Sequence, residues 1–478
     1  MLLKIKHAFS HDLIYAISAE RCSNACDFTF YTSNSIHHES LLVKLYRKQY
    51  NKYCTRNKRL KQITIQIHQK KIGWQDAAIL TFRDGIVEME YDLDYASNHL
   101  GKRGSQALSL AFPVGMQPYK GALPGFVLDL VPQGDPLRRL LHRYGIQDAE
   151  NYPEILAKIP LASPGNLRIK EPWIEWDKQR QNYCHKGFSL ADIIKHNTEF
   201  VSYMEQHGAP IGGTSGAGGG SPKFLLRQDD NGRFHADGML SDAKTVHAYL
   251  VKFPYTDSQN SSLLNKTEKL YYDFLRTLPL MTGQPIAIHG NILFISRFDR
   301  TKASDGSMYF IGLESFYGAH NIAAYGARLW HEDNIALIQS YSTKPSHDII
   351  EYLKRDLVNK ILANTDNHGR NTSFLKTESE ICLSPLYDIT AMRFFSGDFI
   401  VELTRWQEVH ARLRDQIAWI AQTFGLQEQR ILGEVKLLLE GVRPTEKRLL
   451  KLGVPKDFVN RASIERQNTI NEMTALFS

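Results

Sequence analysis

The chain has 478 residues, of which 42% are hydrophobic and 23% are charged, and its formal net charge is +7 at pH 7. This composition is that of an ordinary globular protein, and the length exceeds what one hydrophobic core usually serves, so we expect two or more domains. It has no apolar run of about eighteen residues or more and no secretory leader, so we expect no membrane-spanning helix and a cytoplasmic location.

The first 70 residues are distinguished by their positive charge. Residues 1–72 contain thirteen Lys and Arg against four Asp and Glu, a net charge of +9. Eight basic residues and no acidic residue lie between Lys44 and Lys61, and such a segment attracts polyanions, chiefly nucleic acid. A helix from Ser35, the basic stretch and an alternating strand at 62–68 follow the order of a winged helix-turn-helix. A solvated basic surface without a ligand is the alternative interpretation.

Residues 71–160 are expected to form a small α+β subdomain. Asp84-Gly85 stands between two alternating apolar runs, which predicts a β-hairpin. The apolar run at 108–113 predicts a further strand. Leucines at helical spacing predict a helix over 136–144.

A glycine-rich segment opens the next part of the chain. Six of the nine residues from Gly212 to Gly220 are glycine, which is typical of a linker or of a loop that lies close to a ligand. A predicted hairpin with an Asn-Gly turn follows, which favours a loop that enters a sheet and turns its backbone N–H groups toward phosphates. The spacing is that of neither a P-loop nor a dinucleotide-binding loop.

The predicted secondary structure changes in kind near residue 300. The remaining elements are strands at 248–254 and 291–299, and helices from Leu263, at 349–362 and at 417–439. We therefore expect a sheet-rich lobe over residues 161–300 and a helical lobe over residues 301–478, which is the outline of a kinase.

Phosphoryl transfer needs a cover for the phosphates, a cation, metal ligands and a residue that orients the nucleophile, and the chain offers each in kinase order. Lys252 would reach the α- and β-phosphates, and Glu268 in the following helix would pair with Lys252. Asp366 and Asn371 have the Asp-x-x-x-x-Asn spacing of a kinase catalytic loop. Asp366 would accept the hydroxyl proton, while Asn371 and Asp388 would ligate magnesium. That spacing arises about once by chance in a chain of this length, so the prediction depends on the order of the elements.

At these segments the chain resembles the HipA family of bacterial toxin kinases. The matching segments are 218–223, 251–254, 295–300, 363–371 and 383–388. Residues 78–145 are similar to the small N-terminal subdomain of that family. The resemblance implies a two-lobed α+β fold of the protein-kinase type that uses ATP and Mg²⁺.

The resemblance also implies roles for individual residues. Asp366 would be the catalytic base, with His368 and Asn371 beside it, and Asn371 and Asp388 would hold the metal. Together with Glu268, the residues expected to contact ATP are Gly218, Gly219, Gly220, Ser221, Pro222, Lys223, Lys252, Ser296, Arg297, Phe298, His368, Asn371, Tyr387 and Asp388. The first six would bound the phosphates, and Ser296 to Phe298 would form the hinge beside adenine.

Family members phosphorylate proteins of the translation apparatus, notably aminoacyl-tRNA synthetases, and autophosphorylate on a serine of the glycine loop. That serine aligns with Gly216 here, so Ser215 or Thr214 is the substitute. Ser296 stands where the family commonly has Glu, which removes one side-chain contact near the adenine. The usual toxin lacks the N-terminal 70 residues and relies on a separate antitoxin to bind DNA. In this chain residues 1–70 are expected to bind DNA, as in longer stand-alone relatives.

The leading prediction is therefore an ATP- and Mg²⁺-dependent serine/threonine protein kinase. The alternative is a DNA-binding transcriptional regulator with a vestigial kinase fold, which would need the basic N-terminus but not Asp366 or Asp388. Metal-dependent hydrolysis by Asp366, His368 and Asp388 is a third interpretation. It is weaker because it gives Lys252 and the glycine loop no role.

Overall fold

A computed structural model gives the fold. It describes residues 3–4, 16–19, 28–31, 61–70, 72–159, 162–180, 186–195, 199–200, 203–204, 223–254, 259–390 and 403–478. The chain divides into two units, Met1–Arg59 and Leu60–Ser478. The helix predicted from Ser35 and the basic stretch up to residue 60 lie outside the described residues. Within the described ranges, no helix is long and apolar enough to cross a membrane.

The described part of the first unit is a three-stranded antiparallel sheet. Its strands are β1 (Leu3–Lys4), β2 (Ala16–Ala19) and β3 (Phe28–Tyr31). β2 lies between the other two.

The second unit begins with a subdomain built on a five-stranded antiparallel sheet. Its strands are β4 (Lys61–Gln69), β5 (Gly73–Arg83), β6 (Ile86–Tyr91), β7 (Tyr119–Gly121) and β8 (Leu167–Ile169), in the spatial order β7-β6-β5-β4-β8. The helices are α1 (Leu93–His99), α2 (Val127–Leu130), α3 (Gly134–Tyr144), α4 (Tyr152–Lys158) and α5 (Lys170–Arg180). The predicted hairpin is present, and its turn has positive φ at Asp84 (50°) and Gly85 (79°), as a two-residue turn between twisted strands requires.

Three features of this subdomain differ from the sequence prediction. The strand predicted at 62–68 pairs with β5 on one side and β8 on the other, so it belongs to this sheet and not to an N-terminal wing. β8 completes the sheet, which extends from Lys61 to Ile169 and so passes both bounds predicted for the subdomain, 71 and 160. The predicted strand at 108–113 is wrong, because this segment folds back on itself in a turn closed by a bridge between Ser109 and Phe112.

The next lobe contains a second five-stranded antiparallel sheet. Its strands are β9 (Lys223–Gln228), β10 (Phe234–Ala236), β11 (His247–Lys252), β12 (Ala287–His289) and β13 (Ile292–Ser296), in the order β10-β9-β11-β13-β12. The helices are α6 (Leu190–Ile194) and α7 (Gln259–Leu275). The predicted hairpin with the Asn231-Gly232 turn, the strand near 248 and the helix from Leu263 are confirmed.

The helical lobe follows a short hairpin, β14 (Arg300–Lys302) and β15 (Met308–Phe310). Its strands are β16 (Gly312–Ser315), β17 (Leu329–Trp330), β18 (Ser373–Lys376), β19 (Ile381–Leu383) and β20 (Thr404–Arg405). Its helices are α8 (Phe316–Ala319), α9 (His331–Tyr341), α10 (Pro345–Leu362), α11 (Leu413–Phe424), α12 (Glu428–Val442), α13 (Thr445–Leu452), α14 (Lys456–Arg461) and α15 (Ser463–Ala475). The helix predicted over 417–439 is two helices, because Gly425 adopts a left-handed conformation (φ 67°) that ends α11.

Each of the three parts of the second unit has its own buried apolar core. In the subdomain, β4 contributes Ile63, Ile65 and Ile67 to the core. Phe234 and Phe294 lie in the core of the sheet-rich lobe, and the largest core, in the helical lobe, includes residues of α10, α12 and α15. These cores keep the elements rigid and hold their ends in place around a cleft.

Candidate functional site

A cleft with an empty volume of about 970 Å³ lies between the sheet of the sheet-rich lobe and the helical lobe. Leu225, Leu250 and Ile295 of β9, β11 and β13 form an apolar wall, and Leu313 of β16 lines the cleft as well. Charged side chains gather elsewhere in the same cleft. A mainly apolar slot with a few convergent polar groups is the usual form of a small-molecule site.

Four charged residues form a buried cluster in this cleft. β9 and β11 pair so that Lys223 lies directly opposite Lys252, which brings two ammonium groups onto one face of the sheet. Lys252 Nζ lies 2.5 Å from Glu268 Oε2 of α7 and 3.1 Å from Asp388 Oδ1. Lys223 Nζ lies 3.5 Å from Asp388 Oδ2. The carboxylates offset the repulsion that two opposed lysines would otherwise experience.

The cluster shifts the pKa values of its members. Burial by itself lowers the pKa of Lys252, but the carboxylates of Asp388 and Glu268 outweigh it and hold that pKa above its ordinary value. Burial opposes ionisation of Asp388, yet Lys223 and Lys252 hold its pKa well below the usual range. Burial, with Lys252 nearby, lowers the pKa of Lys223. Lys252 and Asp388 are therefore charged at neutral pH, and each is fixed by its partners.

The loop at 364–371 begins where α10 ends. Ala363 has a left-handed conformation (φ 50°) and caps the helix, and Asn364 N donates to Asn359 O at 2.9 Å. Further along, Asn371 Nδ2 donates to the backbone oxygen of Asp366 at 2.7 Å, which ties the two ends of the loop together. Within the described residues, the Oδ1 atom of Asn371 is buried and has no hydrogen-bond partner. That oxygen therefore keeps its capacity to accept a hydrogen bond or to ligate a cation.

His368 lies beside the carboxylate of Asp366. The backbone N–H of Arg370 donates to His368 Nδ1 at 3.2 Å, so the proton of the neutral ring is on Nε2, which is 3.4 Å from Asp366 Oδ1. Burial lowers the pKa of His368, so the ring is neutral at pH 7. A neutral His368 thus presents an N–H group to Asp366.

One backbone feature and one side chain orient the segment after the loop. Asp388 has φ 55°, a conformation that is uncommon for residues other than glycine and tends to occur at functional sites. The hydroxyl of Tyr387 donates to Arg370 O at 2.5 Å and lies 2.6 Å from Ser373 Oγ. The chain therefore holds Asp388 in one orientation next to the loop that carries Asp366.

Four further predicted residues also line this cleft: Tyr387 and the three residues at 296–298. Ser296, Arg297 and Phe298 form part of its wall, although the guanidinium of Arg297 is engaged by the carboxylates of Asp237 (2.7 Å) and Asp299 (2.6 Å). Asp366, His368 and Asn371 line a second, smaller cavity. The remaining seven predicted residues lie outside the described residues; they are Thr214, Ser215, Gly218, Gly219, Gly220, Ser221 and Pro222.

Sequence reasoning missed Asn367. Its side chain accepts from Leu403 N (3.0 Å) and Thr404 N (3.2 Å), and donates to Thr404 O (2.8 Å). It therefore attaches β20 to the loop that carries Asp366. Sequence reasoning also missed Asp129, Ser315 and Arg370, which line the cleft. Asn367 and Arg370 lie within the matching segment 363–371 but were given no role, and no local pattern marks Asp129 or Ser315, because the partners of all four are distant in the chain.

Comparison with known proteins places the chain in a family. Residues 71–170 match a family model described as the HipA N-terminal domain, and residues 215–442 match one described as a HipA-like C-terminal domain. The chain is 22% identical over 388 residues to "Putative kinase Y4dM" of Sinorhizobium fredii, covering 77% of this chain and 88% of that protein. It is 25% identical over 160 residues to "Putative kinase Y4mE" of the same organism, covering 31% of this chain and 36% of that protein.

A solved structure has the same fold. It is the complex of HipA, HipB and operator DNA from a toxin-antitoxin system of Shewanella oneidensis MR-1. The similarity has a TM-score of 0.56 at 15% sequence identity and covers 86% of this chain and 97% of that chain. The predicted two-lobed, kinase-like α+β fold is confirmed. The two family models together cover most of the subdomain and most of both lobes, and the chain belongs to the HipA family.

Proposed function

We propose that the protein is an ATP- and Mg²⁺-dependent serine/threonine protein kinase of the HipA toxin type. The observation that carries the proposal is the buried cluster of Lys223, Lys252, Glu268 and Asp388, which shares one cleft with an apolar slot. A kinase needs a lysine held by a glutamate to bind the phosphates, and an aspartate to bind the metal. The cluster supplies these groups.

The residues present fit a magnesium nucleotide. The carboxylate of Asp388 and the unpartnered Oδ1 of Asn371 are hard oxygen donors of the kind that Mg²⁺ prefers. When bound, ATP supplies the phosphoryl group and Mg²⁺ neutralises charge on its phosphates. Leu225, Leu250 and Ile295 would receive the adenine against the apolar wall.

The chain's own residues would then orient the acceptor hydroxyl. Asp366 would accept the proton from a serine or threonine side chain. The Nε2–H group of His368 faces the Asp366 carboxylate and would hold it in place. Lys252 is charged and rigidly held, so it would bind the phosphates with little loss of side-chain entropy.

The test is transfer of radiolabelled phosphate from ATP to protein. We expect incorporation by the wild-type chain into itself or into cell-lysate proteins, and a loss of about 10²-fold or more for Asp366→Asn, because a positioned base contributes that much. Asp305→Asn is the matched control, since Asp305 is exposed and bonds to Ser307. Equal transfer by the wild type and Asp366→Asn, or none by either, contradicts the proposal.

The proposal extends to the substrate and to self-regulation. We expect a cytoplasmic kinase that phosphorylates a protein of the translation apparatus, such as an aminoacyl-tRNA synthetase, and autophosphorylates on Ser215 or Thr214. A phosphate on Ser215 or Thr214 would add negative charge beside the phosphates of ATP and displace the glycine loop. Phosphoproteomics of cells that express the wild type or Asp366→Asn would identify the substrate. The double variant Ser215→Ala/Thr214→Ala should still phosphorylate substrate but escape shut-off.

A second candidate function, DNA-binding regulation, is favoured by the net charge of +9 in residues 1–72. We propose that residues 1–70 bind DNA and that a HipB-like antitoxin is a further partner, since the HipA structure of similar fold contains HipB and operator DNA. The affinity of the full chain for duplex DNA should fall steeply with salt concentration, and reversing Arg56, Lys58 and Arg59 to Glu should remove it. If the reversal abolishes the cellular effect while Asp366→Asn preserves it, the regulator interpretation replaces the kinase.

A further inference from the structure

The N-terminal subdomain contributes part of the wall of the nucleotide cleft. Asp129 of α2 and Pro164, which precedes β8, line the cleft together with residues of both lobes. Asp129 lies close to Arg370, which directly precedes Asn371 in the catalytic loop. The subdomain therefore reaches the part of the cleft where the proposed chemistry takes place.

Arg370 is held directly by the subdomain. Its side chain is 3% exposed, and its Nη2 group donates to the backbone oxygen of Leu128. Its Nε atom is 3.7 Å from Asp129 Oδ1, and its guanidinium lies 4.7 Å from the centre of the Tyr325 ring. With the Gln133 amide turned so that its oxygen faces Arg370, that oxygen accepts from Nη1 at 2.5 Å. A buried guanidinium needs this set of acceptors, and α2 and the start of α3 supply it.

A second route connects the subdomain to the same loop. Asp129 accepts two hydrogen bonds from Ser315, one from the backbone N–H (2.9 Å) and one from Oγ (2.7 Å). The next residue, Phe316, donates its backbone N–H to Gly369 O (2.9 Å) and Thr372 O (3.0 Å). Asp129 therefore fixes the start of α8, and the start of α8 fixes the backbone on either side of Asn371.

The two surfaces also approach each other closely. A Cβ atom on Gly125 would lie 2.5 Å from Ile322 N, and one on Gly318 would lie 2.8 Å from Asp129 Oδ2. Gly125 N also donates to Asn321 Oδ1 at 2.9 Å. Contacts this close leave little room for the subdomain to slide over the helical lobe.

We propose that the N-terminal subdomain is a positioning element of the active site, in which Asp129 and the Leu128 carbonyl hold Arg370 and Ser315 and thereby fix Asp366 and Asn371. This inference rests on the proposed kinase function. Asp129 is a positioning residue, since it acts through Arg370 and Ser315. Misplacement of reacting groups by about 1 Å can cost on the order of 10²-fold in rate.

The test compares Asp129→Ala with Asp129→Asn in the full chain. Alanine removes every acceptor that Asp129 offers to Ser315 and the charge that faces Arg370, and we expect kcat to fall on the order of tenfold to a hundredfold. The KM for ATP should change less than about threefold, because the apolar wall and Lys252 remain intact. Asparagine keeps one acceptor oxygen, so Asp129→Asn should recover part of kcat. A uniform loss of folded protein would also lower the apparent kcat at unchanged KM, so kcat is expressed per folded protein, with the folded fraction measured for each variant.

Ser109→Ala is the matched control at the same subdomain boundary. Ser109 Oγ donates to the buried carboxylate of Glu314, so alanine weakens the boundary without removing a cleft residue. We expect its kcat to equal that of the wild type even where its melting temperature falls as far as that of Asp129→Ala. Equal losses of kcat in the two variants would show a general effect of stability and would overturn the inference.

Amide hydrogen exchange over residues 366–372 gives a readout that does not require activity. Asp129→Ala should raise exchange in this segment, and Ser109→Ala should not. If the wild-type chain transfers no phosphate, the kinase proposal fails while exchange still tests the positioning role. If Asp129→Ala has the kcat of the wild type and the amide exchange of the wild type, the inference is overturned. If Asp129→Ala does not fold, kcat and amide exchange of Asp129→Asn decide the matter in the same way.

Discussion

His68 is buried against aromatic rings at the boundary between the subdomain and the hairpin β14–β15. Its ring lies 4.3 Å from that of Phe310 and 5.2 Å from that of Trp74, and within the described structure its Nδ1 atom has no hydrogen-bond partner. Burial lowers the pKa of His68 from 6.5 to about 4, and the nearby cations Arg300 and Arg168 add to the effect. An imidazole in this position is stable only while it is neutral.

The shift predicts a loss of stability in mild acid. The unfolded chain takes up a proton near pH 6.5, whereas the folded chain does so only near pH 4, so acid favours the unfolded state between these values. We expect this residue alone to lower the free energy of unfolding by about 2 kcal/mol between pH 7.5 and pH 5. Urea denaturation at the two pH values measures the effect.

His68→Phe should remove that part of the pH dependence, because phenylalanine has no proton to bind and suits the aromatic surroundings. The control is His142→Gln on α3, where the side chain is exposed. If the free energy of unfolding of His68→Phe falls between pH 7.5 and pH 5 as much as that of the wild type, His68 is not the source of the pH dependence.

At the residue scale, the sequence predicts which side chains gather in the cleft but not how they are held. The ion pair expected between Lys252 and Glu268 is present, because a strand followed by a helix brings the two residues together in this fold. The placement of Lys223 opposite Lys252 depends on the register of β9 and β11, which no motif specifies. The contact of Arg370 with Leu128 joins residues 242 positions apart and was not foreseeable from local patterns.

At the scale of elements, two glycines of the helical lobe predict opposite effects of the same substitution. A Cβ atom on Gly369 would lie 2.6 Å from the ring of Tyr317 and 2.7 Å from Leu329 Cδ1, so Gly369→Ala must displace the loop at 364–371. Overpacking of this kind costs about 1–3 kcal/mol. We expect Gly369→Ala to lower both the free energy of unfolding and the rate of phosphate transfer.

Gly433 is the matched control for Gly369. It is exposed in α12, and a Cβ atom there would meet nothing within 4 Å. Alanine should raise the free energy of unfolding by about 0.5–1 kcal/mol, because glycine loses more backbone entropy in a helix. Chemical denaturation of both variants measures the two effects. A Gly369→Ala protein as stable and active as the wild type would show that the loop adapts freely.

Turn chemistry predicted both hairpins, and the two strand errors have one physical cause, whereas the helix predicted over 417–439 was divided by a local feature, the left-handed Gly425. The Asp84-Gly85 and Asn231-Gly232 turns are local, since their conformation is decided by the residues that form them. Whether the strand at 62–68 joins an N-terminal wing or the subdomain sheet depends on its partners, β5 and β8, and the pattern within the strand is the same in both cases. The apolar run at 108–113 packs in the core as a turn, which alternation cannot distinguish from a strand.

At the scale of the whole second unit, a buried ion pair of the helical lobe is hydrogen-bonded to the subdomain. Lys376 Nζ of β18 lies 2.8 Å from Glu314 Oε2 of β16, and each side chain is 2% exposed. Glu314 also accepts from Leu110 N at 2.9 Å, and Lys376 donates to Ala107 O at 3.3 Å. The pair therefore holds the turn at 107–110 of the subdomain against both strands.

Lys376→Met should destabilise the unit strongly, because it leaves the carboxylate of Glu314 buried without a countercharge. The cost of breaking a buried pair in this way is about 3–5 kcal/mol. The double variant Lys376→Met/Glu314→Gln removes both charges and should recover much of that loss. Lys344→Met is the control: its bridge to Glu380 is exposed, so its cost should stay below about 1 kcal/mol.

Denaturant unfolding of these variants also tests whether the subdomain and the helical lobe unfold together. In the wild type we expect a single transition. Unfolding of the subdomain alone would remove the hydrogen bonds that residues 107–110 make to Glu314 and Lys376, while the pair itself would stay partly buried in the helical lobe. If the pair couples the two parts, Lys376→Met should separate the transition into two, with the subdomain unfolding first. One cooperative transition with an unchanged midpoint in Lys376→Met would mean that the apolar contacts across the boundary couple the parts without the ion pair.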